Sequence, residues 1–275
     1  HLSIRRQRQM CIRDSINSVQ YQNANNSVRV NEEFMKAYEN GEPFGLRART
    51  TGEIIETVDA RELFRKVAVA AWECADPGIQ YDDIINDWHT SPESGRITGS
   101  NPCSEYMHLD NSSCNLASLN LLKFLNPDGT FDSEKFIAAN ELIFTAMDIS
   151  ICFADFPTEK IGETTRNFRQ LGIGYANLGA LLMAIGVPYD SREGFALAAS
   201  ITSLMTASAY RRSAELAGAV GPYAGYAKNK AGHDRVMAKH EAANAAVVTV
   251  NDIDAQVHAA ATREWARNTE IGHHN

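Results

Sequence analysis

Apolar residues recur at intervals of three and four along most of the chain, a spacing that predicts amphipathic helices. After Asp59 a helical stripe of apolar residues is expected to lie in the core: Leu63, Val67, Ala71 and Cys74. The same spacing predicts further helices over residues 31–39, 133–153, 191–217, 227–243 and 250–270.

Shorter apolar stretches between these helices predict a few strands. Residues 27–30 and 54–58 have strand character, and residues 171–185 predict a buried strand that passes into a helix. Residues 115–125 are predicted as a helix that ends at an Asn-Pro-Asp-Gly turn, and residues 79–100 as loop. Helices with short strands between them indicate a helix-rich α/β fold.

Composition limits the function. The chain has 275 residues, 44% of them apolar, and a net charge of -8. This acidity argues against a protein that binds the nucleic-acid backbone, and no apolar stretch reaches the ~20 residues of a membrane span. Five cysteines are too few for a disulfide scaffold in a chain of this length. We therefore expect a reducing, cytoplasmic environment, in which a cysteine pair would be redox-active or metal-binding.

The first fifteen residues differ from the rest of the chain. They hold four arginines and one aspartate, whereas the whole chain is acidic. A transit-like targeting segment is one explanation, but such segments are rich in serine and this one is not. We interpret residues 1–15 as a foreign or disordered prefix and base the fold prediction on residues 16–275.

The strongest chemical signal is Asn101-Pro102-Cys103-Ser104-Glu105, followed eleven residues after its cysteine by Cys114. In an extended segment the amide, the thiol and the carboxylate would share one face. Pro102 favours a loop or a solvent-side strand edge, because it has no N–H to donate. The structural alternative is a pair of half-buried thiols, but a carboxylate beside a thiol favours a reactive site.

Zinc binding does not fit the histidines and cysteines. There is no Cys-x-x-Cys, and neither His89 nor His108 has a ligand spacing. His233 and His240 lie about 10 Å apart along a helix, too far to share one metal, and are predicted at the surface. We therefore assign no metal site.

Two other patterns have structural interpretations. Gly172 and Gly174, with Gly179, resemble a dinucleotide fingerprint, but the third glycine is misplaced and the acidic partner is missing. We expect these glycines to permit close helix packing. A solvated acidic face is predicted for three aspartates near Trp88: Asp82, Asp83 and Asp87.

Residues 100–121, Ser-Asn-Pro-Cys-Ser-Glu-Tyr-Met-His-Leu-Asp-Asn-Ser-Ser-Cys-Asn-Leu-Ala-Ser-Leu-Asn-Leu, resemble the active-site region of ribonucleotide reductases. The resemblance is greatest to the adenosylcobalamin-dependent class and covers residues 20–270. It includes several other stretches in the same order: residues 21–30, 75–83, 86–90 and 171–182.

This resemblance implies a partial ten-stranded α/β barrel that reduces ribonucleotides to 2'-deoxyribonucleotides. Cys103 would become a thiyl radical by hydrogen transfer to the radical formed from adenosylcobalamin, and would abstract the 3' hydrogen of the ribose. Glu105 would act as base on the 3' hydroxyl, while Asn101 and Ser100 would bind substrate. Cys114 would be one half of the reducing dithiol. No residue is assigned to cofactor binding.

The family resemblance also implies what this chain needs from elsewhere. The partner of Cys114 would lie far upstream and the phosphate-binding loop downstream, and we do not assign the partner's role to Cys11. We expect a fragment of the ribonucleoside-diphosphate reductase type that is inactive alone, reduced by a thioredoxin- or glutaredoxin-type protein and homodimeric at full length. The alternatives are a di-iron-dependent reductase subunit or a non-catalytic nucleotide-binding barrel fragment.

Overall fold

A computed structural model describes residues 24–272. The prefix 1–15 and Cys11 lie outside these residues. The chain divides into two compact units, each described here by itself. The first unit contains the residues up to Trp88 and Ile97–His108, and the second contains His89–Arg96 and the residues from Leu109 onward.

Within the described residues, the first unit has four strands and three helices. In chain order these are β1 (Ser27–Val30), α1 (Glu32–Asn40), β2 (Pro43–Arg47), β3 (Ile54–Asp59), α2 (Ala60–Cys74), β4 (Gly78–Tyr81) and α3 (Asp82–Asp87). Strands β1 and β4 pair in parallel, and β2 and β3 pair antiparallel. The loop predicted over residues 79–100 is therefore wrong at its start, where β4 and α3 lie.

Local capping explains two of these helices. The Asn31 side chain accepts a hydrogen bond from the Phe34 amide at 2.9 Å, and that of Asp59 accepts from the Glu62 amide at 2.8 Å. The prediction that Cys74 lies in the core is wrong, because its side chain is half-buried. The apolar stripe of α2 packs at the edge of a small cluster around Phe34.

The second unit is mainly helical. Its elements are β5 (Asn115–Asn120), α4 (Ser133–Ile151), α5 (Glu159–Phe168), β6 (Leu171–Ala176), α6 (Leu178–Ala184), α7 (Arg192–Val220), α8 (Tyr226–Ala245) and α9 (Asp252–Ile271), with 3-10 turns at Pro92–Ser94 and Leu121–Phe124. The core lies between α4, α7 and α9 and includes fully buried Phe136, Ile201, Leu204 and Val257. The helices predicted over residues 133–153, 191–217, 227–243 and 250–270 are confirmed within a few residues at their ends.

The helix predicted over residues 115–125 is wrong. Residues Asn115–Asn120 form a strand whose side chains alternate between half-buried and exposed, and it pairs in parallel with β6, Asn115 opposite Leu171. Only one 3-10 turn, Leu121–Phe124, follows it. A partner strand distant in sequence decides this conformation, because the Leu spacing alone also fits a helix.

The helix-rich α/β class is confirmed. Within residues 24–272 the strands form three two-stranded sheets rather than a closed barrel. Among these residues no helix is long and apolar enough to cross a membrane.

Candidate active site

Cys103 lies on a tight turn of the first unit. The Ser104 amide donates to the Asn101 carbonyl oxygen at 3.0 Å, which closes a turn with Pro102 and Cys103 at its centre. The predicted loop is confirmed, whereas the extended segment assumed for a shared face is wrong. Ser104 has a left-handed backbone conformation with φ 62°, which reverses the chain at this point.

The turn exposes two of the predicted catalytic side chains. Cys103 and Glu105 are exposed and Asn101 is half-buried. The Asn101 Oδ1 accepts a hydrogen bond from the Tyr106 amide at 3.0 Å, so its Nδ2 group is the part oriented to donate elsewhere. The three groups predicted from sequence thus belong to one short loop.

A buried glutamine, Gln80, forms hydrogen bonds that hold this turn. The Gln80 Nε2 donates to the Ser100 hydroxyl at 2.7 Å and to the Ser104 hydroxyl at 3.2 Å. The Ser100 hydroxyl in turn donates to the Asn101 carbonyl oxygen at 2.8 Å. Gln80 therefore contacts both ends of the turn that carries Cys103.

An ion pair holds the glutamine. Arg29 donates to the Gln80 Oε1 at 2.7 Å, to Asp82 at 2.8 Å and to the Ile97 carbonyl oxygen at 3.2 Å. The predicted solvated acidic face is wrong for Asp82, which pairs with Arg29. The prediction is confirmed for Asp83 and Asp87, which are exposed, and Asp83 also accepts from the Glu32 amide at 2.7 Å.

Sequence reasoning missed Arg29 and Gln80 as site residues. Arg29 stands between two valines of a predicted strand, and such a charge on an otherwise apolar strand is the only signal that could have found it. Gln80 has no comparable signal, because the segment was predicted as loop.

A polar cavity of about 500 Å³ opens beside the turn within the first unit. Its lining includes Arg29, Arg49, Gln80, Ser100, Asn101 and Pro102. The volume lies within the range of small-ligand sites. Hydroxyl and amide donors together with guanidinium groups suit a polar, anionic ligand such as a nucleotide.

Cys114 lies in the second unit, where its neighbours fix the backbone. The Ser113 amide donates to the buried Thr165 hydroxyl at 2.9 Å. On the other side, the Asn115 Nδ2 donates to the Ser150 hydroxyl at 2.7 Å. The half-buried Cys114 is therefore anchored to α5 and α4 at the start of β5.

Gly172 is required by the close approach of this cysteine. A Cβ added at Gly172 would lie 2.9 Å from the Cys114 Sγ and 2.4 Å from the Leu116 Cδ2. The glycine therefore permits close packing as predicted, but between paired strands and not between helices.

The prediction of surface histidines is wrong for His233. Its ring is buried, and its Nδ1 lies 3.2 Å from the Tyr223 hydroxyl. Burial lowers the pKa of His233 to about 4, so the ring is neutral at pH 7. His240 is half-buried and stacks on Trp265, and burial lowers its pKa too. No group of three or more metal-ligating side chains occurs in the described part of the chain.

Comparison with known proteins defines the class. The family model described as ribonucleotide reductase, barrel domain, matches residues 4–272. The chain belongs to this family.

Individual relatives within this family share a more specific name. A protein of Streptomyces clavuligerus named vitamin B12-dependent ribonucleotide reductase is 68% identical over 266 residues, which are 95% of this chain and 28% of the relative. A protein of the same name from Rhodopirellula baltica is 46% identical over 257 residues, 93% of this chain and 24% of the relative.

A more distant relative from Mycobacterium tuberculosis is named vitamin B12-dependent ribonucleoside-diphosphate reductase. It is 34% identical over 206 residues, which are 75% of this chain and 30% of the relative. The chain therefore spans less than a third of the length of these curated relatives.

Proposed function

We propose that this chain carries the thiyl-radical centre of a vitamin B12-dependent ribonucleotide reductase. The observation that carries the proposal is the turn that presents Cys103 between Asn101 and Glu105, beside a polar cavity of about 500 Å³. Family membership and the names of the relatives support the same reaction.

In this proposal the Cys103 Sγ, as a radical, takes the 3' hydrogen of the ribose and returns it once the 2' position has been reduced. The Glu105 carboxylate accepts the proton of the 3' hydroxyl as a general base. Asn101 uses its Nδ2 to hold a sugar hydroxyl, because its Oδ1 is occupied by the Tyr106 amide. Ser100, on the cavity wall, contributes to substrate binding.

The reduction then needs two electrons. The 2' hydroxyl leaves as water, and a pair of thiols supplies two electrons and two protons as it becomes a disulfide. Cys114 is one half of that pair, a role supported by the anchored backbone on both sides of it. A thioredoxin- or glutaredoxin-type protein would regenerate the thiols.

Adenosylcobalamin, when bound, supplies a carbon-centred radical that can take a hydrogen atom from a thiol. The exposed Cys103 Sγ fits this requirement, because a radical outside the turn can reach it. We assign no residue to corrin contact.

Three finer features stay predictions. They are the closed ten-stranded barrel, to which the six strands of residues 24–272 would contribute, the full-length homodimer and the cytoplasmic location. The family description as a barrel domain supports the first.

The test is a chimera in which this chain replaces the matched 266 residues of the Streptomyces clavuligerus relative. With adenosylcobalamin, a dithiol and a ribonucleoside diphosphate, we expect deoxyribonucleotide formation. Cys103→Ser should lower the rate at least ~1000-fold, because a hydroxyl does not replace the thiyl radical. The matched control is Cys152→Ser, also at an exposed cysteine.

Each alternative has its own outcome. Turnover retained in Cys103→Ser would contradict the radical role. A requirement for a separate di-iron subunit, and not for cobalamin, would favour the di-iron-dependent class. The chain alone should give no product, and measurable reduction by it would contradict the proposal that the rest of the reductase is needed.

A further inference from the structure

The geometry points to Gln80 as a positioning residue for Cys103, acting through the hydroxyls of Ser100 and Ser104. This inference rests on the proposed function for its catalytic consequence. Its structural content is separate: one buried amide, held by an ion pair, determines the conformation of the turn that presents the thiol.

The orientation of the Gln80 amide follows from its partners. Arg29 carries only donors, so the group that faces it at 2.7 Å must be the Oε1. The Nε2 therefore faces the two serine hydroxyls, at 2.7 Å and 3.2 Å. Arg29 cannot rotate away without leaving Asp82, which it contacts at 2.8 Å.

The hydrogen bonds converge on a single carbonyl. The Ser100 hydroxyl accepts from Gln80 and is left with its own proton to donate to the Asn101 oxygen, 2.8 Å away. That oxygen also accepts a hydrogen bond from the Ser104 amide at 3.0 Å. Gln80 thus directs the Ser100 proton toward the bond that closes the turn around Cys103.

Burial makes this support effective. Gln80 is 6% exposed, so water does not compete strongly for its hydrogen bonds, whereas Cys103 on the turn is exposed. An exposed loop is ordinarily mobile, and radical transfer to a ribose requires a fixed sulfur position. A buried anchor beneath an exposed turn satisfies both conditions.

The discriminating variant is Gln80→Glu. It keeps the size of the side chain and an acceptor for Arg29, but it removes the N–H donors. The new carboxylate would draw the Ser100 proton away from the Asn101 oxygen. In the chimeric enzyme we expect kcat to fall about 10- to 100-fold, because a misplacement near 1 Å costs about that much.

Hydrogen exchange reports on the turn without any activity. We expect the amides of Ser104 and Tyr106 to exchange about tenfold faster in Gln80→Glu, because both are bonded to Asn101. Gln256→Glu is the matched control, since it makes the same chemical change at an exposed glutamine of α9. It should alter neither kcat nor the exchange of these amides.

A mutant cycle tests whether Gln80 acts on the turn through the two serine hydroxyls. Ser100→Ala combined with Ser104→Ala removes the two acceptors, and adding Gln80→Glu to that pair should lower kcat by less than about twofold more. If Gln80→Glu does not fold, the serine pair replaces it in the exchange measurement, because it breaks the same bonds from the other side.

Two results would overturn the inference. One is Gln80→Glu with kcat and amide exchange both unchanged. The other is a triple variant in which the loss of kcat from Gln80→Glu adds in full to the loss from the two serine substitutions. The effect of Gln80 on kcat would then not depend on the serine hydroxyls. If the proposed function itself is wrong, the unsubstituted chimera will be inactive or the Cys103→Ser variant will be active. The hydrogen-exchange result would still decide whether Gln80 holds the turn.

Discussion

The two units of this chain are stabilised by different means. The buried apolar cluster of the first unit consists of Val30, Phe34, Ala37 and Ala60, and a polar network from Asp82 to Ser104 supports its loop. The second unit has a cluster of fourteen buried apolar residues between long helices. The candidate radical cysteine is thus carried by the unit with the smaller core and the more directional contacts.

This difference has a physical reason. Apolar packing is non-directional, so it stabilises a fold without fixing an exposed thiol to a fraction of an ångström. Hydrogen bonds in which each group has only one possible role as donor or acceptor do fix such a position. The hydrogen bonds from Arg29 to Gln80 and from Gln80 to Ser100 are an example. The contrast predicts that the stability of the first unit is reduced most by substitutions of hydrogen-bonded polar residues. The stability of the second unit should be reduced most by substitutions that make buried apolar side chains smaller.

The largest expected effect on stability comes from Leu204→Ala in the second unit. Leu204 is fully buried on α7, so truncation leaves a cavity that costs about 3–5 kcal/mol in the free energy of unfolding. Leu142→Ala is the control, because that leucine is 74% exposed and should cost less than ~0.5 kcal/mol. Urea denaturation measures both, and equal losses would contradict the assigned core.

Acid should destabilise the second unit through His233. Its pKa of about 4 in the folded state lies below the usual 6.5, because burial disfavours the charged ring, with Asp234 raising and Lys230 lowering the pKa by smaller amounts. The unfolded chain therefore binds more protons. The penalty is absent above pH 6.5, grows as the pH falls, and reaches about 3 kcal/mol near pH 4.

The measurement is the free energy of unfolding from pH 7 to pH 4, for the unsubstituted chain and His233→Gln. The difference between the two profiles isolates His233 from other acid-sensitive groups such as His89 and His240, whose pKa values burial also lowers. We expect a flatter profile in the variant. Parallel profiles would show that His233 does not titrate as its burial requires.

A smaller effect is expected in the first unit for Arg29→Met. The change leaves the largely buried Asp82 carboxylate and the Gln80 Oε1 without their guanidinium, at a cost of about 2 kcal/mol. Arg47→Met is the matched control, because its ion pair with Glu33 is exposed and should contribute less than ~0.5 kcal/mol. Hydrogen exchange of β4 locates the effect, and equal exchange in both variants would contradict it.

The sequence was sufficient for structure that depends on local signals. Apolar periodicity located helices α7 and α9. In the structure each also begins at a local cap, since the Ser191 side chain accepts from the Gly194 amide and the Asn251 side chain caps α9. Strand β5 was not predictable in this way. Its leucines fit two periods, and only pairing with β6 selects the strand.

The candidate site shows the same division. Asn101, Cys103 and Glu105 are close in sequence, so their grouping was readable from it, although the turn that arranges them was not. Gln80 reaches that turn from a strand more than twenty positions earlier, through side-chain bonds that no local pattern encodes. Sequence thus identified the reactive groups, and the fold was needed to identify what positions them.

The two parallel strand pairs have a consequence for the order of folding. Ser27 pairs with Gly78, and Asn115 with Leu171, so each pair closes a separation of roughly fifty residues. Such closures are slow compared with helix formation, so we expect pulsed hydrogen exchange to show protection of β4 and β6 after α7. Protection at the same time would contradict this order. The supports of both cysteines, Gln80 on β4 and Gly172 on β6, would thus be completed late, when the helical part of the chain has already formed.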